Sequence, residues 1–183
     1  MAVPASKKGL KKKFDGAPLQ VQKYFKQLPK LLEGFSLEVC IAYLFMRVER
    51  AHHMALYCGV VKIHQCNGSI ASQIIEKQHI TRSEFKKLFA DVIGQEIPAA
   101  IDKMIEEATI VRNKAIHGKG ISEADGRKAV ACVIDYAELL NKFVQGKAGF
   151  KPFDDLRGFK GAGKSLSKSS TRWILKGIGF QLS

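Results

Sequence analysis

This sequence has no apolar run approaching the eighteen or so residues a membrane-spanning helix needs. Its first stretch, MAVPASKKGLKKKF, is charged, with neither an apolar segment nor a cleavage site behind it. A soluble, cytoplasmic protein with no membrane partner is expected. Cysteine is sparse: Cys40, Cys58, Cys66 and Cys132 are scattered through apolar, helical-looking segments, without the dense spacing of a disulfide scaffold, and are expected to be reduced core thiols. No C-x-x-C pair occurs, and the spacings of His53, Cys58, His64 and Cys66 spread them around a helix, so no metal site is expected. Period-two alternation and internal repeats are also missing, which leaves an all-α reading.

The 183 residues are 46% hydrophobic, enough for one compact domain with a real core. The net charge of +13 is unevenly placed. Residues 1–30 contribute +7 and residues 146–183 contribute +6, while 31–145 balance fourteen bases against fourteen acids. Basic ends on a neutral body suit a polyanion, because each neutralised phosphate releases counterions; a solubilising tail is the competing reading.

Helix punctuation is frequent in the middle of the chain. An amphipathic piece from Pro18 to Leu28 is expected to stop before Pro29. Ser36 can cap the long run LEVCIAYLFMRVERAHHMALYCGVVKIHQC, which the Asn67-Gly68 turn closes. A helix follows over 69–77. Thr81 and Glu84 then form a capping-box pattern ahead of FKKLFADVI, which Gly94 ends. Pro98 suits the first turn of the next helix, and Ser122 with Asp125 starts a last one running to Gly146. The expected architecture is an up-and-down bundle of four to five helices over 18–146, with a basic flexible arm at 1–17 and a basic flexible tail at 147–183.

The tail, KAGFKPFDDLRGFKGAGKSLSKSSTRW, is rich in Gly, Ser and Lys, and its Phe150, Phe153 and Phe159 either dock on the bundle or stack on bases. Gly158, Gly163, Lys164 and Ser165 match the phosphate-loop pattern G-x-x-x-x-G-K-S. Yet Asp154, Asp155 and Arg157 stand where the buried strand of that motif belongs, and only eighteen residues follow Ser165. Lys164 is read as one more positive charge.

One stretch carries chemistry, IVRNKAIHGKG at 110–120. In the helix that contains it, Ile97, Ile101, Met104, Ala108, Val111 and Ala115 fall on one face at spacings of three and four, the expected core stripe. Glu106, Ile110, Asn113 and His117 then lie opposite, with Arg112 at the border. They face solvent or a second subunit, and an outward Ile110 suits an interface. Arginine grips phosphate and histidine moves protons near neutral pH. The plain alternative pairs Arg112 with Glu106 or Glu107 and leaves His117 as a helix-end cap.

The pattern Arg112-Asn113-Lys114-Ala115-Ile116-His117, R-N-x-x-x-H near a helix end in an all-helical domain, resembles the HEPN superfamily (higher eukaryotes and prokaryotes nucleotide-binding). The resemblance implies a metal-independent endoribonuclease, of toxin or defence type, working as a homodimer with two motifs in one cleft and no cofactor. It implies that His117 exchanges the proton of the 2′-OH or the leaving 5′-oxygen, Arg112 holds the phosphate and Asn113 orients His117. Glu106 and Ile110 would lie at the dimer interface. The cations expected to hold RNA are Lys114 and Lys119 beside the motif, Arg47 and Arg50 on the long helix, and Lys164 in the tail. Some related toxins carry, two residues after the histidine, a tyrosine that a regulatory partner modifies; Lys119 stands there, so an antitoxin or regulatory partner would have to act by another route. The alternative is a noncatalytic helical module that binds RNA or a partner.

Overall fold

The computed structural model describes residues 3–182, and among them nine helices and no strand. The chain divides into two compact units. The first holds the residues through Glu49 together with Pro98–Lys142 and Phe153–Asp155; the second holds Arg50–Ile97, Phe143–Pro152 and the residues from Leu156 onward. The long helices α4 (Leu37–Lys62) and α8 (Glu123–Ala148) each contribute to both.

In the first unit, α1 (Lys7–Asp15) is capped by Ser6, whose hydroxyl accepts from Gly9 N at 3.1 Å. Leu10 and Phe14, one turn apart, are buried. Burying two such side chains is worth roughly 1.5–3 kcal/mol each. Lys11 pairs with Glu33, Lys13 with Asp135, and Arg127 Nε donates to Pro4 O at 3.1 Å. Of the flexible arm expected at 1–17, residues 1 and 2 lie outside the described residues and the rest is corrected to a segment docked through α1. Pro29 does not end a helix either: it sits in the first turn of α3 (Leu28–Gly34), where its missing N–H is no loss, after the short α2 (Leu19–Tyr24).

An aromatic cluster fills this unit. Tyr24, Phe25 and Tyr136 surround Phe153 with ring centroids 5.3, 5.7 and 5.9 Å away. Buried Asn141 brackets the backbone of Phe153, donating to its carbonyl at 3.0 Å and accepting from its N–H at 2.7 Å. A loop can enter a core only if its backbone groups are satisfied, and Asn141 does that here.

In the second unit, α5 (Gly68–Ile75) is capped by Asn67, and α6 (Arg82–Ile93) has the complete Thr81–Glu84 capping box, ending at Gly94 with φ +77°. Gly59 allows α4 and α6 to cross closely, since a Cβ there would collide with Val92 Cγ1. The last segment forms α9 (Lys168–Ile178), capped by Ser167; its buried Thr171 accepts from Asn67 N at 2.9 Å, and Leu175 is fully buried. The flexible tail expected at 147–183 is thus corrected too over the described residues, 147–182. α8 continues past Gly146 to Ala148, Phe150 and Phe153 are buried, and Phe159 lies edge-on to Phe150.

No helix among the described residues is long and apolar enough to cross a membrane. The fold is all-α, and its helix count exceeds the expected four to five because α1, α2, α3 and α9 come from segments read as arms or merged pieces.

Candidate nucleic-acid site at the end of α7

Helix α7 (Ala99–Ile116) follows Pro98 and buries Ile101, Asp102, Ile105 and Ala108. Its core stripe is turned toward Ile105 relative to the expected one: Met104, Val111 and Ala115 are only half-buried. Arg112 stands one turn beyond Ala108 on that buried line, so it points toward α4 rather than sitting at a border. Its guanidinium lies 5.8 Å over the Phe45 ring and 3.6 Å from Glu49 Oε1 on α4, and donates to Asn113 Oδ1 at 3.3 Å. Glu107, the alternative partner read from sequence, pairs instead with Lys128 at 2.9 Å, which holds its carboxyl below the usual range.

The helix ends on His117. Gly118 takes the left-handed conformation at φ +67° and donates to Ala115 O, while Lys119 N reaches back to Lys114 O at 3.0 Å. This paired closure satisfies the last carbonyls and leaves His117 as the final residue of the turn. Its imidazole is exposed and has no protein partner among the described residues. Asn113 accepts from Arg112 through Oδ1 and makes no side-chain hydrogen bond to His117; the expected orienting contact is not formed. At 100° per residue, Arg112 and His117 lie about 140° apart around the axis. Within one chain they do not converge.

Glu106, Ile110, Asn113 and His117 all face outward, Ile110 with 59% exposure and the neighbouring Ile116 with 56%. Lys114 and Lys119 are exposed beside them. Arg47 is not a free cation: its guanidinium stacks 4.1 Å over Tyr24 and donates to Tyr24 O at 3.1 Å, and its buried Nε has no hydrogen-bond partner. It packs α2 on α4. Arg50 and Lys164 are exposed in the second unit.

No group of three or more His, Cys, Asp or Glu that could hold a metal ion occurs among the described residues. His53 contacts Gln78 O at 3.4 Å and His64 contacts Val92 O at 2.9 Å. Burial pushes the thiols of Cys58 and Cys66 up to about 12 and about 11. Glu49 and Phe45, which seat Arg112, carry no sequence signal; only the packing of α7 on α4 brings them there.

No family model matches this chain, and neither a curated protein nor a solved structure shows significant similarity to it.

Proposed function

We propose that this protein is a metal-independent endoribonuclease of HEPN type, cytoplasmic and related in role to toxins or defence nucleases. The observation that carries the reading is the exposed end of α7, where His117, without a partner among the described residues, stands beside Lys114 and Lys119 and one turn from Asn113. In RNA the 2′-OH attacks the adjacent phosphorus, the phosphorane collapses, and the P–O5′ bond breaks to leave a 2′,3′-cyclic phosphate and a 5′-hydroxyl. His117 takes the attacking proton or returns one to the leaving oxygen, and Arg112 neutralises the equatorial oxygens. Because Arg112 and His117 of one chain diverge, a site using both is completed by a second copy across the face bearing Glu106 and Ile110. RNA and a second copy are then the partners, with any antitoxin or regulatory protein acting on that face; no cofactor enters the reaction.

A noncatalytic module that binds RNA or a partner is favoured by one observation: Arg112 is already engaged by Glu49 and Asn113. Incubation of purified protein with single-stranded RNA in EDTA separates the two. Cleavage with cyclic phosphate ends that disappears in His117→Ala supports the nuclease. Intact RNA, or cleavage that needs a divalent metal, supports the binding module.

A further inference from the structure

The second unit carries an uncompensated run of positive charge. Residues 156–183 contain six Lys or Arg and neither Asp nor Glu. Three of the six, Lys168, Arg172 and Lys176, recur every fourth residue on α9 and are exposed, and they form no ion pair among the described residues. In the first unit, by contrast, Lys11, Lys13, Arg112, Arg127 and Lys128 each have an acidic partner. Four residues of helix rise about 6 Å, so the three cations form a ladder along one face.

Trp173, the only tryptophan of the chain, stands beside this ladder with 73% exposure, and Lys176 Nζ lies 5.9 Å from its ring centroid. An indole with an open face costs solvation that a folded protein ordinarily avoids. The opposite side of α9 is seated in the second unit: Thr171 and Leu175 are fully buried, and Ile174 and Ile178 half-buried. The helix is therefore held in place, with its aromatic and its cations turned outward.

We propose that the exposed face of α9 is a binding site for single-stranded nucleic acid, with an unpaired base stacking on Trp173 and successive phosphates held by Lys168, Arg172 and Lys176. A stacked base needs one open aromatic face, and a flexible strand lets its phosphates follow a row of cations. A duplex hides its base faces. A lipid surface would call for several exposed large apolar side chains on the helix, and Trp173 is the one that α9 presents among the described residues. The site belongs to the second unit and does not depend on cleavage at His117.

Short oligothymidylate tests this on the full-length chain, because it lacks the 2′-OH and cannot be cut by the proposed nuclease. Tryptophan fluorescence, excited beyond the tyrosine absorption band, reports Trp173 alone. The expected result is saturable quenching that weakens with salt and is smaller with a duplex. By anisotropy of a labelled oligomer, Trp173→Ala weakens binding roughly tenfold and Trp173→Phe by less. Replacing Lys168, Arg172 and Lys176 with Gln lowers both affinity and salt dependence. Quenching that is absent, or an affinity that Trp173→Ala leaves unchanged, overturns the proposal. A blue shift with phosphatidylserine vesicles and no response to the oligomer overturns it in favour of a membrane surface.

Discussion

The guanidinium of Arg112 on α7 sits 3.6 Å from the carboxylate of Glu49 on α4, and Glu49 keeps 60% of its side chain in solvent. An ion pair so exposed contributes about 0–1 kcal/mol, so an arriving phosphate can displace it. Glu49→Gln is expected to leave the unfolding midpoint nearly unchanged while lowering KM for RNA cleavage several-fold, because Arg112 no longer has a competing anion. A higher KM would show instead that Glu49 positions Arg112 for the phosphate.

Ile110 presents 59% of its surface on the same outward face as His117. Replacing it with Asp removes little packing within the chain, but in a two-fold contact it places like charges together at a penalty of about 2–5 kcal/mol. Ile110→Asp is expected to sediment as a monomer, keep its helical circular dichroism and lose RNA cleavage. A monomer cutting at the wild-type rate would leave the motif active and remove the two-copy site.

Phe14 is 3% exposed and Leu10 fully buried, although both lie in the lysine-rich segment 7–15. Phe14→Ala is expected to destabilise the protein by about 3–5 kcal/mol and Leu10→Ala by about 2–5 kcal/mol in urea unfolding. Deletion of residues 1–13 should act in the same direction. A change below about 0.5 kcal/mol would mean that α1 is not docked in solution.

Features set by a few neighbouring residues were legible in the sequence. The Thr81–Glu84 box, the stop at Gly94 and the helix start near Pro98 all rest on backbone groups within one turn, and each is formed. The outward exposure of Glu106, Ile110, Asn113 and His117 followed from helical geometry alone. Features decided by packing were not legible. Five lysines concealed Leu10 and Phe14, and the glycines and serines around α9 concealed a helix whose anchor, Thr171 on Asn67, joins residues 104 apart in the chain. The partner of Arg112 was missed because the true stripe of α7 runs through Ile105, which turns Arg112 toward α4.

His52 gives the second unit a titratable core. Its ring stacks on Phe85 with centroids 3.7 Å apart and planes 7° from parallel, and only 9% of the residue is exposed. Burial above all, then the positive field of Arg82 and the neighbouring His53, pushes its pKa from 6.5 down to about 3. The unfolded chain therefore takes up a proton below about pH 6.5 that the folded chain refuses until about pH 3. Its contribution to stability is complete above that window and is lost as pH falls through it, at about 1.4 kcal/mol per pH unit. His52→Gln retains hydrogen-bonding capacity but cannot titrate. Urea unfolding of both proteins from about pH 7 to about pH 4 is expected to show the wild type losing about 3 kcal/mol more than the variant over that range. Parallel pH profiles would mean that His52 reaches solvent and takes its proton in the folded state.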